Sequence, residues 1–157
     1  RGLTMAAAMD VMVPTIPLAQ AIGRWGNWFN QEVFGRPSDL PWALEIDAMH
    51  RPAEYAASST FHPTFLYEGL WNVALAMVLV RVERRGALRP GYVTGLWVCG
   101  YGLGRLWVEM LRSDVASLVV GVRINVWMAL AAILIGGLVA WRGRIPADRA
   151  PMEVGDR

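Results

Sequence analysis

The stretch that decides how this chain folds is Gly23-Arg24-Trp25-Gly26-Asn27-Trp28-Phe29-Asn30-Gln31-Glu32-Val33-Phe34-Gly35, which directly follows an apolar segment. It combines a cation, side-chain amides, a carboxylate and glycines with large aromatic rings. At the edge of a bilayer, aromatic rings anchor at the level of the lipid headgroups while polar groups face the protein interior. The stretch therefore predicts a polar site at the edge of a membrane.

The composition of the chain agrees with a membrane protein. Its 157 residues are 55% apolar and 18% charged, whereas an ordinary soluble domain carries about 25% charged residues. The basic residues are all arginine and are scattered, which argues against a nucleic-acid partner. Cys99 is the only cysteine, so an intrachain disulfide and a cysteine-cluster metal site are excluded. The sequence predicts no metal and no cofactor.

Four apolar segments predict an all-α membrane protein, a polytopic helical bundle with about four spans. A bilayer core needs about 20 residues of helix. The predicted spans are residues 3–22, 64–82, 91–111 and 124–141, and we expect Pro14 and Pro17 to kink the first. Residues 36–61 form a polar loop, predicted to be a small head segment, in which the alternation over residues 42–47 suggests a short strand. Residues 143–157 are predicted to be a disordered tail.

The distribution of arginine predicts the orientation of these spans. Cytoplasmic loops carry an excess of basic residues. One side holds Arg1, Arg81, Arg84, Arg85, Arg89 and the arginines of the C-terminal tail, and the other holds Arg24, Arg36, Arg51, Arg112 and Arg123. The first side is richer and should be cytoplasmic. The head segment and the polar stretch are then expected on the extracytoplasmic side.

Charged residues inside two of the predicted spans should lie at the same depth. Glu68 is expected about 8 Å and Arg105 about 9 Å from the outer face, at 1.5 Å per residue of helix. A charge at mid-membrane costs at least about 2.5–3.5 kcal/mol. The functional interpretation is a wet cavity that accepts a polar headgroup. The alternative is that Arg105 and Glu109 form an i,i+4 ion pair that only holds the bundle together.

Two further patterns have both a structural and a functional interpretation. Residues 62–68 begin His62-Pro63-Thr64, and a helix start can bind an anion, with Tyr67 and Glu68 one turn further in. The alternative is that His62 is only a boundary residue before a helix. Gly91, Gly95 and Cys99 recur every four residues, which is typical of close helix packing.

Four motifs in order resemble those of the bacterial phosphatidylglycerol–prolipoprotein diacylglyceryl transferases. The first is Gly23-Arg24-x-Gly26-Asn27-Trp28-Phe29-Asn30-x-Glu32-x-x-Gly35. The others are the lead-in Asp10…Pro14…Pro17-Leu18-Ala19-Gln20-Ala21-Ile22, the segment His62-Pro63-Thr64-x-Leu66-Tyr67-Glu68, and Tyr101-Gly102-x-x-Arg105-x-x-x-Glu109-x-x-Arg112. Leu40-Pro41-Trp42 is also similar to the start of the family's head segment. The likeness covers nearly all of residues 3–142.

The resemblance implies a multi-pass enzyme of the bacterial plasma membrane with seven spans, of which residues 1–142 would be the C-terminal part. Such an enzyme transfers the sn-1,2-diacylglyceryl group from phosphatidylglycerol to the lipobox cysteine of a prolipoprotein, in the first step of lipoprotein maturation. A thioether forms and glycerol 1-phosphate leaves. The partners implied are phosphatidylglycerol, the prolipoprotein signal peptide and the lipid bilayer.

The resemblance also assigns site residues. It links Arg24 and Arg105 to phospholipid binding and catalysis, and Asn27, Glu32, Gly35 and Glu109 to activity or site structure. From their chemistry, the two arginines would neutralise the phosphate, and Glu32, Glu68 and Glu109 would orient them. Asn27 and Asn30 would bind the headgroup glycerol, and His62 and Tyr67 complete the predicted phosphatidylglycerol site. The family's His-Gly-Gly element, which carries a proposed base for the thiol, has no counterpart here, so we expect this chain to be a piece of a longer protein.

Two other classes of function would use the same cavity. A phospholipid transporter or flippase would pass the lipid without chemistry, and a non-catalytic scaffold would only hold it. The sequence contains no inverted repeat of the kind from which many transporters are built.

Overall fold

The computed structural model describes residues 4–85, 89–113 and 116–143. Five α-helices dominate it, which confirms the predicted all-α class. They are α1 (Met5–Met12), α2 (Thr15–Asn30), α3 (Thr64–Glu83), α4 (Tyr92–Leu111) and α5 (Ile124–Gly143). Two antiparallel strand pairs, β1 (Leu44–Glu45) with β2 (Thr60–Phe61) and β3 (Leu118–Val119) with β4 (Val122–Arg123), lie between the helices. The predicted tail begins at residue 143, which still belongs to α5, and residues 144–157 lie outside the described residues.

Among the described residues, two helices or at most three meet the criteria for a membrane span, compared with the four spans that the sequence suggests. Helices α3 and α5 are long and apolar enough to cross a bilayer, and α1 with α2, bent by 40°, makes a third if the pair is one span. The bend lies at Pro14, which has no N–H to continue the hydrogen bonding of α1. Helix α4 has the length of a span, but its charges, Arg105 and Glu109, and its glycines lower its hydropathy.

Small residues bring α4 and α5 into backbone contact. A Cβ atom on Gly95 would lie 2.6 Å from the nitrogen of Ala140 and 2.9 Å from the carbonyl oxygen of Gly136. A Cβ on Gly136 would in turn overlap the backbone of Cys99. The predicted packing role of Gly95 and Cys99 is therefore confirmed. Gly91 differs, because it lies before α4 with φ of 98°.

Asp10 of α1 caps the N-terminus of α4. Its Oδ2 accepts a hydrogen bond from the Gly91 N–H at 2.7 Å. Its Oδ1 accepts from the N–H and the hydroxyl of Thr94, at 2.8 and 2.6 Å. The first N–H groups of a helix lack partners within it and carry partial positive charge. This explains an acid in the middle of an apolar segment.

The head segment has a small core of its own. Phe34, Ile46 and Phe61 are buried, and the rings of Phe34 and Phe61 lie 4.9 Å apart. Strand β1 pairs with β2 through Leu44 opposite Phe61, so the short strand predicted within residues 42–47 is confirmed. The segment is therefore a packed unit at the end of the bundle where α2 ends and α3 begins.

Gln31 joins the end of α2 to this head segment. Its amide nitrogen donates to Asp47 Oδ2 at 2.7 Å, and its amide oxygen accepts from the Asp47 N–H at 2.8 Å. Gln31 has φ of 49°, a left-handed conformation that glycine adopts without steric cost. A glycine at this position would therefore adopt the same backbone conformation without strain.

Candidate functional site

One carboxylate joins three helices at the head-segment end of the bundle. Glu68 of α3 is 6% exposed. Its Oε2 contacts Arg24 Nη2 of α2, and its Oε1 lies 3.3 Å from Arg105 Nη1 of α4. The structure thus brings together Glu68 and Arg105, as their equal expected depth predicted. Arg24, from the polar stretch of residues 23–35, contacts the same carboxylate.

A second buried carboxylate, Glu109, holds the other side of Arg105. Glu109 is 1% exposed, and its Oε2 lies 2.9 Å from Arg105 Nη2. The i,i+4 ion pair of the structural interpretation is therefore present. However, Glu109 Oε1 also accepts hydrogen bonds from Arg123 Nε and, at 3.1 Å, from Asn125 Nδ2.

Glu68 and Glu109 lie at the centre of a cluster of ion pairs. Among the described residues, four guanidinium groups contact these two carboxylates. The members of the cluster are Arg24, Arg105, Arg112, Arg123, Glu68 and Glu109. Arg112 lies at its edge, with Nη1 4.0 Å from Glu68 Oε1. Guanidinium groups that are only partly buried have the geometry to bind an anion.

A small cavity lies beside these ion pairs. Its volume is about 20 Å³, room for about one water molecule. It is lined by Arg24, Glu68, Trp71, Asn72, Tyr101, Gly104 and Arg105. Glu68 contacts the guanidinium groups of both Arg24 and Arg105 at this cavity.

Four of the lining residues, Trp71, Asn72, Tyr101 and Gly104, were not predicted to belong to the site. Asn72 follows Glu68 by four residues, and Tyr101 precedes Arg105 by four, so helical spacing places each on the face of a predicted site residue. Trp71 packs against Gly104 and donates a hydrogen bond to the Gly100 carbonyl at 2.9 Å. Helical spacing from Glu68 and Arg105 could have found Asn72 and Tyr101.

His62 and Tyr67 form a separate polar group beneath the head segment. His62 Nδ1 lies 3.3 Å from the Tyr67 hydroxyl, which accepts a hydrogen bond from Trp42 Nε1 at 2.9 Å. The Tyr67 ring stacks on Trp107. Neither His62 nor Tyr67 lines the cavity beside Arg24 and Arg105.

The polar residues at the end of α2 divide into two sets. Asn27 follows Arg24 by three residues and so shares its face of α2, and its side chain has no hydrogen-bond partner among the described residues. Asn30 donates to Glu32 Oε1 at 3.0 Å, and both are exposed. Glu32 therefore orients neither Arg24 nor Arg105 in this structure.

Gly35 connects the chain after α2 to the beginning of α3 and the end of α4. Its N–H donates to the His62 carbonyl at 2.8 Å, and it forms a β-bridge with Arg112. A Cβ atom here would lie 2.7 Å from the Leu111 carbonyl oxygen and 2.9 Å from His62 Cβ. Only glycine fits this junction without displacing its neighbours.

Comparisons with known proteins point to one family. The family model described as prolipoprotein diacylglyceryl transferase matches residues 1–142. A phosphatidylglycerol–prolipoprotein diacylglyceryl transferase of Frankia alni is 47% identical over 155 residues, 97% of this chain. Proteins of the same name from Cutibacterium acnes and Streptomyces coelicolor are 53% identical over 80% of this chain and 46% identical over 99% of it.

The matched region is less than half of each of these relatives. It covers 40% of the Frankia alni protein, 42% of the Cutibacterium acnes protein and 45% of the Streptomyces coelicolor protein.

Proposed function

The chain belongs to the prolipoprotein diacylglyceryl transferase family, and we propose that it supplies the phosphate-binding part of a phosphatidylglycerol–prolipoprotein diacylglyceryl transferase. The enzyme would move the sn-1,2-diacylglyceryl group of phosphatidylglycerol to the lipobox cysteine of a prolipoprotein. The products would be a thioether on the prolipoprotein and glycerol 1-phosphate.

The observation that carries this proposal is the convergence of Arg24 and Arg105 on Glu68. The planar guanidinium group donates two parallel hydrogen bonds, which match the oxygens of a phosphodiester. In the free site, Glu68 keeps both groups oriented. In the complex, the lipid phosphate would displace Glu68 from part of these contacts and take its place between the two arginines.

The chemistry requires a nucleophile and a stabilised leaving group. The thiolate of the prolipoprotein cysteine is the reactive form, because a free thiol has a pKa of about 8.5 and reacts poorly. Its lone pair forms the C–S bond to the glyceryl carbon that bears the phosphate ester. The C–O bond to that carbon breaks, and its electron pair remains on the phosphate oxygen. The thiol proton goes to a base that we do not assign to this chain.

The guanidinium groups of Arg24 and Arg105 suit this step. The phosphodiester of phosphatidylglycerol carries one negative charge, whereas a phosphate monoester carries about 1.5 to 2 at neutral pH. Negative charge thus grows on the leaving phosphate, beside Arg24 and Arg105. Donors aimed at charge that develops in the transition state usually supply a large part of catalysis. The convergence of both guanidinium groups on one carboxylate supports a role in chemistry rather than in packing alone.

We place the site on the extracytoplasmic side of a multi-pass protein in the bacterial plasma membrane. The positive-inside rule supports this placement, because Arg81, Arg84, Arg85 and Arg89 lie at the end of the bundle opposite the head segment. A lipid of the outer leaflet and the lipobox of a translocated prolipoprotein would both reach the site from that side. Asn27, on the face of Arg24, is positioned to bind the headgroup glycerol.

The test is a transfer assay with the complete protein that contains this chain. It is incubated with phosphatidylglycerol and a lipobox peptide, and the peptide is examined by mass spectrometry. We expect a diacylglyceryl adduct on the cysteine and release of glycerol phosphate. A protein that moves fluorescent phosphatidylglycerol between leaflets and leaves the peptide unchanged would instead be a transporter.

A further inference from the structure

We propose that Arg123 is a positioning residue for Arg105 and acts through the carboxylate of Glu109. This inference rests on the proposed function and adds a residue to it. Arg123 lies at the end of β4, immediately before α5, and outside the four motifs that carry the family resemblance.

The geometry of Glu109 carries the argument. Its side chain has no solvent exposure, and its two oxygens are divided between donors. Oε2 pairs with Arg105 Nη2 at 2.9 Å, while Oε1 accepts from Arg123 Nε. Arg123 and Arg105 thus hold opposite oxygens of one buried carboxylate, which fixes the plane of that carboxylate and with it the direction of the Arg105 guanidinium.

The hairpin formed by β3 and β4 holds Arg123 in place. Arg123 pairs with Leu118 across the hairpin, and the Trp127 indole N–H of α5 donates to the Val119 carbonyl at 3.1 Å. Its turn places Val120 at φ of 53°. Gly121 also has a positive φ, as the central residues of a two-residue hairpin turn do. The strand pairing and the Trp127 hydrogen bond hold the hairpin, and Arg123 with it, against α5.

Loss of Arg123 would change the balance of contacts at Arg105. Glu109 would keep its charge but lose one of its two cationic partners, so it would attract Arg105 more strongly. Arg105 would then be less available to the phosphate oxygen that gains charge. This change weakens stabilisation of the leaving group.

The first experiment measures transfer by the complete protein with Arg123→Gln, Arg123→Lys and, as a matched control, Arg85→Gln. Arg85 is exposed at the opposite end of the bundle. We expect Arg123→Gln to lower kcat by about 10- to 100-fold, the scale of misplacing a reacting group by about 1 Å, with little change in KM. Arg123→Lys keeps the charge without the Nε donor and should recover part of the loss. Arg85→Gln should behave as the unsubstituted protein does.

A second comparison separates positioning from a merely structural role. If Arg123 acts through Glu109, then Arg123→Gln added to Glu109→Gln should change kcat by less than about threefold, because contacting residues are not additive. The proposal would be overturned if Arg123→Gln lowered kcat as strongly in the Glu109→Gln background as it does in the unsubstituted protein. A lowered Tm of Arg123→Gln with kcat unchanged would overturn it too. If Arg123→Gln does not fold, Arg123→Lys and the double variant decide the question.

A binding measurement keeps this inference distinct from the proposed function. If the unsubstituted protein transfers no diacylglyceryl group, the proposed function is wrong. Calorimetry with glycerol 1-phosphate still tests Arg123: we expect about tenfold weaker binding by Arg123→Gln than by Arg85→Gln. Equal binding by the two variants would overturn the role of Arg123.

Discussion

Arg24 and Glu68 form an ion pair across the contact of α2 with α3, so a carboxylate of the protein occupies the position proposed for a lipid phosphate. An anion that enters must compete with Glu68 for the guanidinium groups. This arrangement keeps Arg24 and Arg105 oriented in the free protein, at the expense of some affinity for phosphate.

Substitution of either arginine should abolish transfer. In the complete protein, Arg24→Ala and Arg105→Ala should insert into the membrane normally and give no diacylglyceryl adduct on a lipobox peptide. Arg24→Lys and Arg105→Lys should also lose most activity, because an ammonium group cannot form the two parallel hydrogen bonds. Arg84→Lys, at the opposite end of the bundle, is the control. Unimpaired transfer by either lysine variant would count against the phosphate clamp.

Removal of the competing carboxylate should have opposite effects on binding and on rate. Glu68→Gln should bind glycerol 1-phosphate about tenfold more tightly, a gain of about 1.4 kcal/mol, while kcat falls because the guanidinium groups lose their common anchor. Calorimetry and the transfer assay measure the two effects. Glu83→Gln, near the other end of α3, should change neither. Weaker binding of glycerol 1-phosphate by Glu68→Gln would contradict the idea that the Glu68 carboxylate competes with phosphate for the guanidinium groups.

Gly35 should tolerate no side chain. Gly35→Ala forces a Cβ against the Leu111 carbonyl and His62, and such overpacking typically costs about 1–3 kcal/mol. Gly26→Ala is the matched control, because a Cβ there meets no atom within 4 Å. Thermal unfolding in detergent should show a lower Tm for Gly35→Ala alone. Equal Tm values would mean that the junction adjusts freely.

The cap on α4 should contribute to stability rather than to chemistry. Asp10→Ala leaves the Gly91 and Thr94 N–H groups without their acceptor, and hydrogen bonds to a charged group are worth about 1.5–3 kcal/mol each. We expect a lower free energy of unfolding and an unchanged KM for phosphatidylglycerol. Asp39→Ala, exposed in the head segment, is the comparison. A changed KM with normal stability would place Asp10 in the site instead.

Two substitutions of Gln31 should distinguish the effect of backbone strain on stability from the effect of the side-chain hydrogen bonds. Gln31→Ala loses both bonds to Asp47 and keeps the left-handed backbone, whereas Gln31→Gly loses the bonds but relieves the backbone. We therefore expect Gln31→Ala to lower the Tm more than Gln31→Gly does. The two variants should differ by about 1 kcal/mol in the free energy of unfolding. The reverse order would show that φ at this position is not a constraint.

The sequence predicted α3, α4, α5 and the pairing of Glu68 with Arg105, because they follow from apolar segments, helical spacing and depth. It also predicted the close packing at Gly95 and Cys99. It did not predict that Asp10 caps α4 or that Arg123 reaches Glu109. Those contacts join residues far apart in the chain, and no local period encodes them. The position of Glu32 differs from expectation because α2 ends before it, at Asn30, and the chain turns at Gln31.

The glycine contact between α4 and α5 has a mechanical consequence. The backbones of α4 and α5 touch at Gly95 and Gly136, and they cannot slide or rotate past each other without a clash. We therefore expect the two helices to move as one rigid unit that carries Arg105. At the contact of α2 with α3, a Cβ on Gly69 would lie 3.9 Å from the Ala21 carbonyl oxygen and from Arg24 Cβ, an ordinary van der Waals distance. Arg105 is thus carried by two interlocked helices, whereas Arg24 lies on a helix contact without backbone overlap at Gly69.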